Sequence, residues 1–274
     1  MIPLFGSAYF PPRLWVYTNF HCNLACDYCA VASSPQAAPH TIAAGQFQAL
    51  VDEAVSEGFA ELYVTGGEPF LHPDIIEMLG YASQRLPTVV LTNAMLFRGR
   101  RLAGLAELAQ HARAGNLVIQ TSLDGARPQT HDAHRGRGSW ARTMDGIQRA
   151  VSLGLPVRVG MTQTPQNATE TGEAAWLLAG MGIEGDAFAV RPLLRRGLSA
   201  DGLDIEVGTT IAELTVSADG LHWHPAGADV ATSPDMLLAA PGTPLAAGKR
   251  LINERFFAAR LADGSLPRPY RCAV

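Results

Sequence analysis

Residues 13–29 read Arg13-Leu14-Trp15-Val16-Tyr17-Thr18-Asn19-Phe20-His21-Cys22-Asn23-Leu24-Ala25-Cys26-Asp27-Tyr28-Cys29. The first six residues are rich in aromatic and β-branched side chains and read as a strand. The cysteines follow at once, at offsets of four and then three, and they are three of the chain's four. A strand that delivers clustered thiols to a loop sets the frame for the rest of the chain.

Outward from this stretch the pattern alternates. Phe47, Leu50, Val51, Ala54 and Val55 recur at helical spacing, with Thr41 as a candidate cap and Gly58 as a stop. Leu62–Thr65 is a second strand and runs into Gly66-Gly67-Glu68-Pro69; Pro73 opens a second helix. Thr88–Leu91 is a third strand, followed by Thr92-Asn93 and a helix over 101–113. Leu117–Gln120 is a fourth, leading to Ser122-Leu123-Asp124-Gly125 and a helix over 139–153. Val157–Met161 is a fifth strand; Asn167 with Glu170 reads as a capping pair for the next helix. Ala187–Val190 is a sixth, ending at Arg191. Six short apolar strands alternating with helices imply parallel βα units with right-handed crossovers. A closed eight-stranded barrel needs about 250 residues, so the fold class is α/β, a partial (β/α)6 TIM-like barrel over 1–196. A doubly wound sheet is its rival, because periodicity does not separate the two.

From Gly197 the rhythm stops. Residues 212–216 and 221–224, joined through Asp219-Gly220, read as a hairpin. Residues 234–249 read as loop and 252–261 as a helix. We read 197–274 as a small C-terminal α+β appendage.

Composition narrows the classes. The net charge of −4, from 21 basic and 25 acidic residues, lacks the basic excess of a general nucleic-acid binder. No apolar run of about 18 residues predicts a membrane span. The first residues, Met-Ile-Pro-Leu-Phe-Gly, lack the charged and apolar regions of a secretory signal. A cytoplasmic protein is the expectation, with its thiols acting as ligands rather than disulfides.

Clustered cysteines serve several chemistries. A structural zinc site needs four Cys or His ligands, so His21 or His40 would have to complete it. Cys26 and Cys29 form a Cys-x-x-Cys redox pair, with Cys22 then surplus. An ordinary [4Fe–4S] cluster takes four thiolates; three would leave one iron open to another ligand. Cys272 is a fourth ligand only if the tail folds back. Every polar motif, at the cysteines, Glu68, Asn93, Ser122, Gln163 and Arg191, falls just after an expected strand. In parallel α/β folds those ends share the face where sites gather.

The Cys-x-x-x-Cys-x-aromatic-Cys loop after a first strand resembles the signature of radical S-adenosylmethionine (radical SAM) enzymes. The resemblance extends to Gly66-Gly67-Glu68-Pro69, Thr92-Asn93 and Ser122-Leu123-Asp124-Gly125, as in the SPASM/twitch and molybdenum-cofactor-cyclising branch. It implies that Cys22, Cys26 and Cys29 bind a [4Fe–4S] cluster whose fourth iron is chelated by S-adenosylmethionine. It places Tyr28 beside the adenine, Gly66, Gly67 and Glu68 at the methionine ammonium, and Asn93, Ser122 and Asp124 at the ribose and carboxylate. Arg142 is a further candidate for that carboxylate. The implied chemistry is reductive cleavage to a 5′-deoxyadenosyl radical that takes a substrate hydrogen atom, fed by an electron donor such as a flavodoxin or ferredoxin. A peptide or another small molecule is the expected substrate class. The alternative is a non-catalytic zinc-binding scaffold on the same fold.

Residues 217–225 resemble the SPASM hairpin without its cysteines, so no auxiliary cluster is expected. His222 and His224 alternate and share a strand face, expected to be half-exposed. His131, Asp132 and His134 read as a surface helix entry. Arg191, Arg195 and Arg196 read either as an anion site or as a solvated rim.

Overall fold

Strand order decides between the two architectures that periodicity left open. The computed structural model describes residues 4–111, 116–207 and 210–263. Strands β1 (Arg13–Tyr17), β2 (Glu61–Thr65), β3 (Thr88–Thr92), β4 (Leu117–Ser122), β5 (Val157–Gln163) and β6 (Phe188–Pro192) lie side by side in chain order, each parallel to the next. A doubly wound sheet reverses its order at a switch point; this one does not. β6 does not pair with β1, so the parallel sheet is an open, partial barrel.

The helices follow the strands: α1 (Ala44–Ser56), α2 (Ile75–Ser83), α3 (Gly99–His111), α4 (Pro128–Arg135), α5 (Ser139–Ser152) and α6 (Thr171–Ala179). Strand period and helix stripe meet on one side. Val16, Val64, Val90, Ile119 and Val159 pack there in one core with Phe47, Val51, Leu79, Leu105 and Ile147. Each such side chain, fully buried, contributes about 1.5–3 kcal/mol. The alternate residues Trp15, Tyr63 and Val89, with Val118, make a separate cluster on the inner face.

The segment after β6 does not stand apart from the barrel. β7 (Thr215–Ser217) pairs parallel with β1, and β8 (Gly220–His222) and β9 (Leu237–Ala239) continue the sheet antiparallel. α7 (Leu245–Asp263) closes the described chain. The expected loop over 234–249 thus contains β9 and the start of α7. A three-residue strand is too short to carry a readable period.

Three local expectations fail for identifiable reasons. Ala43, not Thr41, precedes α1, and the Gln46 side chain accepts its N–H. Asn167 and Glu170 do not form a capping box. Asn167 folds back onto Thr164, Thr162 and the Asp124 carbonyl, and Glu170 accepts from Ala126, Arg127 and Thr130. The 128–135 stretch is a full helix rather than an entry turn, and Asp132 caps the next helix through the Gly138 and Trp140 amides at 2.6 and 2.8 Å. The helix expected over 101–113 is seen to His111, and its last two residues lie outside the described ones.

Candidate active site

The C-terminal ends of the parallel strands ring a cavity of about 270 Å³. Cys22, Cys26, Tyr28 and Cys29 line one side. Gly66, Gly67, Asn93 and Ser122 reach it from the ends of β2, β3 and β4, and Arg135, Thr162 and Arg191 complete the wall. Four strand-end motifs far apart in sequence therefore converge.

The Gly-Gly-Glu turn holds the cysteine loop by its backbone. Gly67 N–H donates to the Asn19 carbonyl at 2.8 Å, and Glu68 N–H to the His21 carbonyl at 2.9 Å. The Asn19 amide donates in return to the His21 and Glu68 carbonyls. A Cβ on Gly67 would fall on the Phe20 and His21 carbonyls, and one on Gly66 on Asn19. Gly67→Ala is therefore expected to cost about 1–3 kcal/mol by forced overpacking. It should also lower iron uptake, checked by urea unfolding and iron content of the reconstituted protein.

Glu68 is fully buried and does not line the cavity. Its carboxylate accepts from Phe70 N–H (3.0 Å), Thr92 Oγ1 (2.7 Å) and Asn93 N–H (2.8 Å), fastening the β2 end to the β3 end. Burial pushes its pKa up, against the pull of those donors. Asn93, so placed, donates to Asn23 at 2.9 Å and accepts from Met95 N–H at 3.0 Å. The next residue, Ala94, has φ +59°, in the left-handed region that costs an L-residue energy. Thr143 donates to the Asn93 carbonyl, and Gly146 lets the Ala94 carbonyl approach α5 closely.

Asp124 is also fully buried behind the wall. One oxygen accepts from Thr162 N–H at 2.9 Å; the other takes the Tyr28 hydroxyl and the Arg135 guanidinium. Arg135 also donates to the Tyr28 oxygen at 2.8 Å. Burial alone would raise the Asp124 pKa, but Arg135 and Tyr28 together hold it below the usual carboxylate range. The His131 ring accepts from Asp124 N–H at 3.1 Å, and His134 bridges Asp27 and Thr164 at 3.0 Å each. The surface reading of these histidines is overturned: both are buried, His131 on the Asp124 amide after β4 and His134 tying the cysteine loop at Asp27 to Thr164 after β5.

The segment after β6 closes the far side. Gly197, with φ +60°, lies against the Cys29 and Ala30 carbonyls, and Leu198 N–H donates to Cys29 at 3.0 Å. Ala228 packs with Tyr17, Phe20, Val31 and Cys29, and the Tyr17 hydroxyl donates to the Pro225 carbonyl.

Other candidates fall elsewhere. Arg142 and Gln163 are exposed and away from the cavity. Arg195 pairs with Asp204 and Arg196 with Asp235, leaving Arg191 as the member of that trio on the wall. His222 and His224 are buried, not half-exposed: His222 meets Ser217 Oγ at 3.0 Å and His224 accepts from Ala226 N–H. Cys272 lies outside the described residues. Arg135, Thr162, Asn167 and Glu170 were missed as site residues. The His131, His134 and Arg135 spacing on one helical turn was the available signal for Arg135.

The thiols suit a cluster better than a single ion. Cys22 is buried and Cys26 and Cys29 half-buried, all on one cavity. Leu24 N–H points at Cys22 Sγ (3.4 Å) and Ser33 N–H at Cys29 Sγ (3.3 Å), as fits sulfur carrying negative charge. Among the described residues no three His, Cys, Asp or Glu side chains converge on a single ion. A cubane meets each thiolate with a different iron, so its ligands stand further apart. Burial pushes the metal-free Cys22 and Cys26 thiols up to about 12 and about 11, so ligation must displace their protons.

Fold and site together define a partial-barrel protein with three cysteine thiols on one cavity at its strand ends. The family model described as Radical SAM superfamily matches residues 16–175, more than half of the chain, and the protein belongs to that superfamily. Its members use a [4Fe–4S] cluster and S-adenosylmethionine. The antilisterial bacteriocin subtilosin biosynthesis protein AlbA of Bacillus subtilis (strain 168) is 33% identical over 187 residues, 67% of this chain and 40% of that protein. The mycofactocin maturase MftC of Mycobacterium tuberculosis (strain ATCC 25618 / H37Rv) is 29% identical over 180 residues, 65% of this chain and 44% of that one. The chain thus spans less than half the length of these curated relatives. Among solved structures, native anSMEcpe with bound AdoMet superposes with a TM-score of 0.67 at 12% identity, covering 90% of this chain and 82% of that one. Streptococcus suis SuiB bound to precursor peptide SuiA gives 0.57 at 20% identity, covering 68% and 40%. At these identities the likeness is one of fold.

Proposed function

We propose that this chain is a radical SAM enzyme that modifies a peptide, with Cys22, Cys26 and Cys29 as the ligands of one [4Fe–4S] cluster. The observation that carries it is the convergence of three thiols, and of no fourth described cysteine, on a cavity faced by the strand ends. When bound, the cluster and S-adenosylmethionine supply one-electron cleavage of the sulfonium bond, the source of a hydrogen-abstracting radical.

The chain's own residues do the rest. Tyr28, Gly66, Gly67, Asn93 and Ser122 present their surfaces to the cofactor. Glu68 and Asp124 act from behind the wall by fixing Asn93 and Tyr28. Leu91, Leu193 and Leu194 keep the cavity apolar and exclude water from the reactive centre. Residues 1–196 form the unit that carries the cofactor site and 197–274 the appendage, whose described residues buttress Cys29 and extend the sheet. A peptide substrate is supported by the relatives named above, one a bacteriocin biosynthesis protein and one solved with its precursor peptide. A low-potential donor such as a flavodoxin or ferredoxin supplies the electron. No described helix is long and apolar enough to cross a membrane, and thiolate ligands suit a reducing compartment, the cytoplasm.

Anaerobic reconstitution is expected to give a brown protein with about four irons per chain that forms 5′-deoxyadenosine with reductant. Replacing any one of the three cysteines by alanine should reduce that product by more than the roughly 100-fold that loss of an outer-shell partner costs. A colourless protein that holds one zinc and leaves S-adenosylmethionine intact would sink the proposal.

A further inference from the structure

One buried hydroxyl on the cavity wall is left over by the fold. Ser33 is 3% exposed and lines the cavity, and its Oγ has no hydrogen-bond partner among the described residues. Buried polar groups are nearly always paired, so a free donor at a cavity calls for an explanation. A serine commonly turns its hydroxyl onto a carbonyl three or four residues back. Here the carbonyl four back is that of Cys29, and it already accepts from Ala32 N–H at 3.2 Å and Leu198 N–H at 3.0 Å. Both of its lone pairs are therefore taken. The carbonyl three back, that of Ala30, is packed against Gly197.

The backbone fixes this residue against a thiol. Ser33 N–H points at Cys29 Sγ (3.3 Å). Ala32, just before it, has φ +49°, a left-handed conformation of the strained kind that is kept at functional sites. Ser34, just after it, accepts from Cys22 N–H at 3.1 Å, so the turn is fastened to the first and the last cysteine of the loop. With the amide held on the sulfur, rotation about χ1 alone decides where the hydroxyl points. The cavity offers it no carboxylate: none stands among the described residues that line the wall. Glu68 and Asp124, the buried acids nearby, are engaged behind it by Thr92, Asn93, Arg135 and Thr162.

We infer that the Ser33 hydroxyl donates to a sulfur of the cluster at its Cys29 corner and thereby raises the reduction potential of that cluster. This rests on the radical SAM reading given above and adds the residue that tunes electron uptake at the same site. The reason is electrostatic. Reduction takes one electron from an external low-potential donor and adds one negative charge to the iron–sulfur core, with no bond to the protein made or broken. An O–H aimed at sulfur stabilises the more negative state more, so it shifts the potential upward. On a wall closed to water that dipole is little screened. The Ser33 amide already lies on the same thiol, so amide and hydroxyl act on one corner of the cluster from a single residue.

The test uses the anaerobically reconstituted full chain without S-adenosylmethionine. Potentiometric titration followed by electron paramagnetic resonance reads the midpoint potential of the cluster. Ser33→Ala should make reduction less favourable by about tenfold, a midpoint more negative by about 59 mV for one electron. Its iron content should match that of the unaltered protein, because the hydroxyl is not a ligand and the Ser33 amide remains. Ser33→Thr, which keeps a hydroxyl, should stay closer to the unaltered potential than Ser33→Ala does. The inference is overturned by a midpoint that does not move or moves upward in Ser33→Ala, or by a fall in iron content, which would make the hydroxyl a support of the loop. If neither variant folds, a crystal structure of the reconstituted unaltered protein decides: Ser33 Oγ should lie within hydrogen-bond distance of a cluster sulfur, and Oγ turned to a water instead overturns the inference. Failure of the unaltered protein to form a four-iron centre would remove the cluster reading and this inference with it; a formed cluster whose potential ignores Ser33 removes this inference alone.

Discussion

Between pH 6.5 and about pH 4 the protein is expected to lose about 4 kcal/mol of stability per pH unit. Three histidines cause this. Burial lowers His131 to about 4, helped by Arg135; burial lowers His222 to about 4; burial lowers His224 to about 3, helped by Arg196. Geometry agrees for two of them. The Asp124 and Ala226 amides donate to ring nitrogens of His131 and His224, which must carry no proton there. The folded values lie below the ordinary 6.5, so the unfolded chain binds more protons in this window and stability falls as pH falls. Above pH 6.5 the rings are neutral in both states and the full stability is present. Each ring contributes about 1.4 kcal/mol per pH unit, hence about 4 for three and a loss of about 6 kcal/mol by pH 5. Against a total of about 5–15 kcal/mol, acid unfolding should be centred near pH 4–5. Urea midpoints measured from pH 7 to 4 check this, and His222→Asn should remove about a third of the slope. Flat stability down to pH 5 would show that the rings accept protons without unfolding.

Asp124→Ala is expected to cost about 3–5 kcal/mol, because it strands the Arg135 guanidinium in a buried site. Asp124 is fully buried and the Arg135 side chain is 11% exposed, so water screens the pair little. In a chain of this size the melting temperature should fall by about 10 °C. Asp124→Ala/Arg135→Met should recover part of the loss, since removing both charges leaves none unpaired. Both single and double variants should load less iron, because the Tyr28 hydroxyl between Cys26 and Cys29 loses its anchor. Thermal melts and iron counts on the same preparations separate the two effects. Equal stability of the single and double variants would show that the charge of Arg135 is not what the carboxylate offsets.

The fold was legible where a segment carries its own period. The six parallel strands and their helices are long enough to show alternation or a helical stripe, and Gly66-Gly67-Glu68, Thr92-Asn93 and Ser122-Leu123-Asp124 fall at strand ends as read. The misread pieces share a cause. Asn167 and Glu170 have the composition of a capping box, but a residue with free donors and acceptors goes to the strongest unmet demand nearby. Here that demand is the Asp124 loop, about 40 residues away in sequence. His131, His134, His222 and His224 were placed on surfaces because imidazole is polar, yet each is buried once the fold packs around it. β9 was missed because three residues cannot display a period.

The sequence by itself determined the βα alternation, the thiol set and the side of the sheet on which the motifs meet, since all of these follow from local spacing and the shared direction of parallel strands. Tertiary structure alone decided which polar residues face the cavity and which stand behind it. Glu68 and Asp124 were read as cofactor contacts, but both carboxylates are spent on backbone amides and neighbouring side chains. Arg135 gave only the helical spacing it shares with His131 and His134, yet it lines the cavity. The physical reason is that hydrogen-bond demand is settled in three dimensions. A carboxylate goes to the donors that folding leaves unpaired, as Glu68 goes to the Asn93 amide and Asp124 to the Thr162 amide.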